Sequence, residues 1–288
     1  LAPGVTKDVT LVDCVIQGNI RNYGTGEVRF EAPQITPEST AAKPSEVYKP
    51  GATLDRTLEY GGKTVPIYRD RPLNVFSDVD FIWTDEENEN RRRLEYLGGE
   101  FRTRYGIDVS SFQGEIDWDA VADDNIDFAM VRVGFRGTGT GSLNTDKYYE
   151  QNIRGAMRAG LETGVYFFAQ AVTVEEAIEE ADYVISLLDG LDINGPVAYD
   201  WEMHDSTYRV YGTSPEMATA CAVAFCERIK DAGYTPMVYG GTYVTYMKYD
   251  QGALADYLSW YPEYKSEKSE KLCPTLVYHM DYWQFSSS

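Results

Sequence analysis

Two carboxylates lie two residues apart in the segment PVAYDWEMHD, residues 196–205. A β-strand alternates its faces, so Asp200 and Glu202 would point to the same side while Trp201 points to the other. Two acids on one face repel each other, which is a common way to keep one carboxyl protonated for acid catalysis. An Asp-x-Glu triplet also arises often by chance at the end of an ordinary strand. The surrounding sequence must therefore decide between the two interpretations.

From Tyr105 onward, apolar runs and amphipathic segments alternate along the sequence. The runs DFAMVRVG and GVYFFAQ are almost continuously apolar, which predicts strands that are buried on both faces. The segment TVEEAIEEADYVISLLDG predicts a helix, with Thr173 as N-cap, Glu176 completing a capping box and Gly190 just past the end. Repeated βα units of this kind predict an α/β fold with a parallel sheet, either open or closed into a barrel.

Three acids lie at the carboxyl ends of predicted strands. Asp108 follows the apolar start of YGIDVS, and Asp200 and Glu202 end the strand PVAYDWE. In a barrel of parallel strands the catalytic groups lie at this end. A turn or capping role would also explain Asp108 when it is considered alone. The shared position of all three acids favours an active site.

Residues 1–104 differ from the rest of the chain in composition and pattern. Short strands are predicted around a Gly-Thr-Gly turn, and the segment PQITPESTAAKPSEVYKPGA has the composition of an extended linker. A hairpin is predicted across Gly61–Gly62, followed by a short charged helix over TDEENENRRRLEYLGG, residues 84–99. We find no chemistry-bearing motif in this part. We therefore predict a small β-rich accessory region and linker over 1–104 and a catalytic domain over 105–288.

The composition argues against several classes of partner. The 288 residues carry 26 basic and 46 acidic side chains, a net charge of −20, whereas nucleic acids and anionic membranes bind clustered Lys and Arg. No apolar run approaches the roughly 18 residues that a membrane-spanning helix needs. The sequence opens with LAPGV, without Met or a leader, so we expect a secreted or cell-surface protein whose signal peptide has been removed.

Cysteine and histidine usage argues against disulfide and metal chemistry. Cys221 and Cys226 are five residues apart on a predicted helix, which is a poor geometry for a bridge, so buried free thiols are expected. His204 and His279 are the only two histidines, too few and too isolated for a zinc site. We expect no metal ion and no organic cofactor, and we expect the chain to be a monomer.

The segment GIDVSSFQGEIDW, residues 106–118, is the most informative motif. Together with the Asp-Trp-Glu triplet it resembles the glycoside hydrolase family 25 lysozymes, which are N-acetylmuramidases with Asp-Val-Ser-x-x-Gln-Gly-x-Ile-Asp-Trp near the start of their domain. YWQFSS, residues 282–287, is similar to the family's Trp-Gln-Tyr-Ser segment, with Phe285 in place of Tyr. The resemblance spans residues 105–288. Matching positions between these motifs are Asp146, Tyr149, Asn152, Ala156, Gly160 and Gly164–Val165–Tyr166.

The resemblance implies an irregular TIM-like (β/α) barrel that cleaves the β-1,4 bond between N-acetylmuramic acid and N-acetylglucosamine in peptidoglycan glycan strands. Such cleavage needs a proton for the leaving oxygen and negative charge near a developing oxocarbenium ion. Glu202, with the longer side chain, is the predicted general acid, and Asp200 is predicted to orient the substrate acetamido group or stabilise the positive charge. Asp108 would hold neighbouring groups or a sugar hydroxyl. Candidate substrate contacts are Tyr166, Trp260, Trp283 and Gln284. For the three aromatic residues, packing in the core is an equally good explanation.

Two departures from the family pattern concern the site. The family usually has a Tyr-His-Phe segment where this sequence has Phe167, which would alter one wall of the cleft. The family also usually continues into a Gly-x-Val-Asp strand with a further active-centre Asp, whereas this sequence stops at Ser288. We expect either that such a segment follows or that the site functions without that acid.

Two other functions remain open on the sequence. A carbohydrate-binding protein could keep the fold without turnover, although the presence of both Asp200 and Glu202 argues against it. A related hydrolase could act on another N-acetylhexosamine polymer such as chitin, although DGLDINGP lacks the acids of a chitinase signature at Asn194 and Pro196. Within the hydrolase hypothesis, we favour attack by the substrate's acetamido oxygen over direct attack by Asp200 or inversion through water.

Overall fold

The protein divides by its internal contacts into two units, Leu1–Thr40 and Ala41–Ser288. In the first unit, β1 (Val9–Val12) pairs in parallel with β2 (Val28–Glu31). The barrel and every candidate site residue belong to the second unit. The computed structural model describes residues 9–12, 28–31, 42–51, 53–84, 93–266 and 268–287.

The second unit begins with a short helix and two antiparallel hairpins. These elements are α1 (Pro44–Val47), β3 (Leu54–Tyr60) with β4 (Lys63–Tyr68), and β5 (Phe81–Trp83) with β6 (Leu94–Tyr96). Gly61 and Gly62 adopt φ values of +57° and +75° between β3 and β4, which confirms the hairpin predicted there. The prediction of a helix over 84–99 is wrong for residues 94–96, which form β6. Pairing of β6 with β5 overrides the local helical pattern there. Residues 85–92 lie outside the described part of the chain.

Among the described residues, seven parallel strands form one curled sheet, with helices packed on its outer face. In spatial order the strands are β7 (Gly106–Val109), β8 (Phe128–Arg136), β10 (Glu162–Ala169), β11 (Val197–Trp201), β12 (Pro236–Tyr239), β13 (Leu258–Pro262) and β14 (Tyr282–Gln284), and β9 (Leu143–Thr145) lies antiparallel to β8. The helices are α2 (Trp118–Asp123), α3 (Tyr149–Arg158), α4 (Val174–Leu187), α5 (Pro215–Asp231) and α6 (Thr242–Met247). The predicted α/β fold with a parallel sheet is confirmed.

The helix that the sequence delimits most clearly is α4. The Thr173 hydroxyl accepts the N–H of Glu176 at 3.3 Å, which confirms the predicted N-cap. Gly190, two residues past the C-cap, has φ +75°, a conformation that glycine adopts without a steric penalty. The capping residues therefore fix where the chain leaves β10 and where it returns towards β11.

Strand side chains alternate between two apolar layers. Side chains on the outer face, including Val131, Val165 and Tyr199, pack beneath the helices. Side chains on the inner face, including Met130 and Ala198, pack inside the curl of the sheet. Burial on both faces explains why these strands read as continuous apolar runs.

The two ends of the sheet are linked by side chains. The described residues show no backbone pairing between β7 and β14. Instead, Gln284 Nε2 on β14 donates to Asp108 Oδ2 on β7 at 2.9 Å, and Tyr282 packs edge-on against Phe128 with ring centroids 5.1 Å apart. The sheet is thus a curled half-barrel, in agreement with the predicted irregular TIM-like fold.

The segment before the barrel packs on the last part of the chain. Leu73 forms a β-bridge with Tyr278, and the Asn74 side-chain amide donates to the carbonyls of Pro274 and Leu276 at 2.9 and 2.8 Å. Residues 42–104 therefore belong to the same compact unit as the barrel. The domain boundary at residue 104 stays a prediction.

Burial of the cysteines agrees with the sequence analysis. Cys221, Cys226 and Cys273 are buried free thiols, and Cys14 lies outside the described residues. In the part of the chain that the structure describes, no helix is long and apolar enough to span a membrane.

Candidate active site

The three acids come together at the carboxyl end of the sheet. Asp108 lies on β7 and Asp200 on β11, both on faces directed into the barrel, and Glu202 follows the last residue of β11. The charges of Glu202 and Asp108 both act on Asp200. The predicted cluster of carboxylates is therefore present in the structure, although their catalytic roles stay predictions.

Asp200 is a buried carboxyl with too few donors to stabilise its charge. Only 6% of the residue is exposed, and its Oδ1 has no hydrogen-bond partner among the described residues. Burial raises the pKa of Asp200 well above its usual range, and the charge of Glu202, a hydrogen bond shared with Glu202 and the charge of Asp108 raise it further. The raised pKa therefore favours the protonated form of Asp200.

Asp108 is held by an amide network that crosses the gap between the sheet ends. Burial raises the pKa of Asp108, and the hydrogen bond from Gln284 partly opposes this effect. The amide oxygen of Gln284 in turn accepts hydrogen bonds from the hydroxyls of Tyr239 and Tyr264, each at 3.3 Å. Gln284 was predicted to contact substrate, and the structure places it where it orients Asp108.

Glu202 is more exposed than Asp200 and opens onto a cleft. Its side chain is 23% exposed and lines a cleft of about 620 Å³, which also contains Tyr211, Tyr243 and Tyr264. The Glu202 backbone carbonyl accepts a 2.8 Å hydrogen bond from the buried side chain of Gln170. A group in the cleft can therefore reach the Glu202 carboxyl, while the hydrogen bond from Gln170 fixes the Glu202 backbone.

Two aromatic candidates form the floor of the site. Tyr166 on β10 packs edge-on against Trp260 on β13, and Trp260 packs in the same way against Tyr239, with centroid distances of 5.8 and 5.1 Å. Burial raises the pKa of Tyr166, and the charges of Asp108 and Asp200 add to that effect. Tyr166 thus stays protonated beside the acids. Trp260 is buried in the inner apolar layer with Tyr239, and Tyr166 packs against that layer.

Trp283 does not lie with the acids. It occupies the opposite face of β14 from Gln284, where its indole N–H donates to the Glu263 carbonyl at 3.1 Å and its ring packs edge-on against Phe81. Trp201 also points away from the acids, as strand alternation predicts, and donates to the Ala171 carbonyl at 3.1 Å.

Sequence reasoning did not identify two residues that act on the carboxylates. His204, which the sequence analysis considered only as a zinc ligand, has its Nε2 2.7 Å from Glu202 Oε2. Arg132 lowers the pKa of Asp200 by its charge and contacts Asp146 at 2.8 Å. The position of Arg132 between two valines in the strand FAMVRVGFR was a signal in the sequence, because a charge inside an apolar strand needs a partner when it is buried.

The polar groups at this site are carboxylates, amides, phenols, the imidazole of His204 and the guanidinium of Arg132. Across the described residues, no cluster of three His, Cys, Asp or Glu side chains has an arrangement that could hold a metal ion. The arrangement can exchange a proton between Asp200 and Glu202 and offer negative charge to a cationic centre in the cleft.

Comparisons with known proteins agree with this geometry. The family model of the glycosyl hydrolases family 25 matches residues 107–288. The chain is 26% identical over 164 residues to the autolytic lysozyme of Clostridium acetobutylicum. The aligned region covers 57% of this chain and 46% of that protein. The chain therefore spans less than half the length of this curated relative.

Solved structures share the fold at low sequence identity. The modular autolysin LytC from Streptococcus pneumoniae is 23% identical with a TM-score of 0.54, covering 81% of this chain and 54% of that one. A family 25 glycosyl hydrolase from Bacillus anthracis is 21% identical with a TM-score of 0.51, covering 64% and 79%. These two similarities support the irregular barrel fold.

Proposed function

This chain belongs to glycosyl hydrolase family 25, and from that premise we propose that it hydrolyses the β-1,4 bond between N-acetylmuramic acid and N-acetylglucosamine in peptidoglycan. The observation that carries the proposal is the buried Asp200 beside the cleft-facing Glu202, with Asp108 nearby. The name of the autolytic lysozyme supports a cell-wall substrate. We accordingly propose a secreted or cell-surface location.

The chemistry begins with the proton that the two acids share. In the free site burial favours this proton on Asp200. An acetamido N–H of the substrate that donates to Asp200 would stabilise its ionised form, so the proton moves to Glu202. Glu202 then protonates the leaving oxygen as the bond from that oxygen to the anomeric carbon breaks.

Asp200 has its main role at the anomeric carbon. The acetamido carbonyl oxygen forms a bond to this carbon, and the positive charge that develops on the acetamido group is stabilised by the Asp200 carboxylate. Water then attacks the anomeric carbon as the bond from that carbon to the acetamido oxygen breaks, which regenerates the acetamide, and the water gives a proton back to Glu202, which restores the free site. This route retains the anomeric configuration.

Asp108 and Tyr166 complete the proposed machinery. Gln284 fixes the Asp108 carboxyl, which can accept a hydrogen bond from a sugar hydroxyl or help to hold Asp200. Tyr166 remains a hydrogen-bond donor because its pKa is raised. The tyrosines of the cleft offer flat apolar faces with polar edges, which suit sugar rings.

Digestion of purified peptidoglycan, followed by mass spectrometry of the new reducing ends, tests the proposal. Wild type is expected to release N-acetylmuramic acid ends, and Glu202→Gln is expected to lose about 100-fold or more of the rate because it cannot supply the proton. Glu150→Gln, a surface acid on α3 with a side chain 53% exposed, is the matched control and should keep the wild-type rate. N-acetylglucosamine reducing ends, or release from chitin alone, would contradict the assignment. Binding without release by a folded wild type would favour a carbohydrate-binding protein.

A further inference from the structure

A buried arginine joins the segment before the barrel to the barrel wall. Arg71 is 5% exposed, and its Nη1 donates to the side-chain oxygen of Gln251 at 3.1 Å and to the carbonyl of Leu254 at 3.4 Å. Both partners are neutral. No carboxylate in the described ranges lies within ion-pair distance of its guanidinium group.

A second buried arginine in the same chain is held differently. Arg136 is 3% exposed and contacts two carboxylates, Glu180 at 2.8 Å and Glu179 at 2.7 Å. A guanidinium taken out of water is costly unless an opposite charge accompanies it. The charge of Asp281 acts on Arg71 from a distance, and Asp281 is exposed. Its Oδ2 already accepts hydrogen bonds from the N–H and the hydroxyl of Ser259 at 2.8 and 3.1 Å.

Arg71 also lines a small cavity behind β12 and β13. Its volume is about 20 Å³, against roughly 10–15 Å³ for one water-sized sphere, so it admits a single monatomic ion and is too small for sulfate or phosphate. The walls include apolar groups of Val238, Leu254 and Leu276, and the lining contains no acidic residue. The side chains of Tyr249, Gln251 and Ser259 also line the cavity, so hydrogen-bond donors besides Arg71 are available to an occupant.

We propose that this cavity binds a small monovalent anion, a halide such as chloride. The anion would supply the negative partner that the Arg71 guanidinium lacks. It would also connect the segment before the barrel to β12 and β13. Trp260 lines the cavity and packs against Tyr166 and Tyr239, so the anion would also stiffen the floor of the active site. This inference does not depend on the proposed reaction.

Crystals of the whole chain soaked in bromide provide the direct test. We expect an anomalous peak inside the cavity, in contact with the Arg71 guanidinium. Bromide at exposed surface positions only would show adventitious ions only and would overturn the proposal. A cavity that holds water in the presence of bromide elsewhere in the crystal would overturn it as well.

Thermal unfolding gives a second test in solution. Replacing sodium gluconate by sodium chloride at the same ionic strength should raise the wild-type Tm saturably, by about 3 °C or more. Arg69→Met is the matched control, because Arg69 is 67% exposed and should leave the chloride shift unchanged. Arg71→Met should abolish the shift. Equal Tm values for wild type in both salts would contradict the proposal, and the bromide experiment decides the question if Arg71→Met does not fold.

Discussion

Two buried aspartates lie on either side of Arg132 and have opposite electrostatic states. Asp146 is 1% exposed, and its carboxylate accepts hydrogen bonds from the backbone N–H of Ser111 and Tyr148 at 2.9 and 3.0 Å and from Arg132 at 2.9 Å. These donors outweigh burial, so the pKa of Asp146 is lowered. Asp200 is buried to a similar degree, yet its pKa is raised.

The difference between the two aspartates shows how the surrounding groups set the protonation of a buried carboxyl. Burial raises the pKa of both carboxyls, but hydrogen-bond donors and Arg132 oppose it at Asp146, whereas the charges of Glu202 and Asp108 add to it at Asp200. The carboxylate oxygens of Asp146 both accept hydrogen bonds, and one of these bonds holds the turn after β7. Asp200 lies beside another carboxyl, and its raised pKa favours its protonated form. Burial together with neighbouring acids and a deficit of donors therefore distinguishes Asp200, the candidate site residue, from Asp146.

The largest effect is expected at Asp200. We predict that Asp200→Asn lowers the rate of peptidoglycan hydrolysis by about 100-fold or more, because the amide cannot supply negative charge to the reacting centre. The same variant should unfold at an equal or higher temperature, because a neutral amide removes a buried acid that is disfavoured when ionised. Rate assays and calorimetry on one preparation would check both. A lower Tm together with an unchanged rate would assign Asp200 a structural role.

Asp146 should show the reverse pattern. Asp146→Asn is expected to lower the free energy of unfolding at pH 7 by about 2–4 kcal/mol, because it weakens charge-assisted hydrogen bonds and leaves Arg132 without its partner. Urea denaturation would measure the change. Asp182→Asn, at an exposed ion pair with Arg228, is the matched control, with an expected change below about 1 kcal/mol. Equal effects of the two substitutions would refute the contrast.

The two aspartates should also give stability a pH dependence of opposite sign. Asp146 has a folded-state pKa below 3.8, so the stability that it contributes is present above pH 3.8 and is lost as the pH falls through the lower folded value. Asp200 has a raised folded-state pKa, so its contribution is present below pH 3.8 and is lost as the pH rises through the folded value. Urea titrations of wild type and both Asn variants between pH 3 and 9 would separate the two slopes. An unchanged alkaline slope in Asp200→Asn would contradict the raised pKa.

The smallest effect is expected at His204. Its side chain is 63% exposed, so its contact with Glu202 is screened by solvent. We predict that His204→Gln changes kcat/KM by less than about fivefold. Steady-state kinetics at pH 6 and pH 8 would check this, with Tyr208→Phe as a neighbouring control for the packing of the histidine ring. A loss as large as that of Asp200→Asn would move His204 into the proposed reaction.

Local patterns in the sequence were sufficient for much of the fold and for the acid cluster. Strand alternation predicts Trp201 on the outer face, and capping residues predict the start of α4. The same alternation separates Trp283 from Gln284, so the two could not both face one cleft.

Contacts between distant segments account for what the sequence did not predict. The bond from Gln284 to Asp108 joins residues 176 positions apart, and Trp283 is covered by Phe81, which comes from the segment before the barrel. The β6 strand forms because it pairs with β5, and no local propensity signals that pairing.

The contrast between Asp200, which lacks donors and takes part in the proposed reaction, and Asp146, whose carboxylate is fully hydrogen-bonded and holds the fold, is the central prediction. Its most direct test is the release of reducing-end N-acetylmuramic acid per folded molecule by wild type, Asp200→Asn and Asp146→Asn. We predict loss of at least about 100-fold for Asp200→Asn and less than about tenfold for the folded fraction of Asp146→Asn. Near-wild-type release by folded Asp200→Asn would contradict the account.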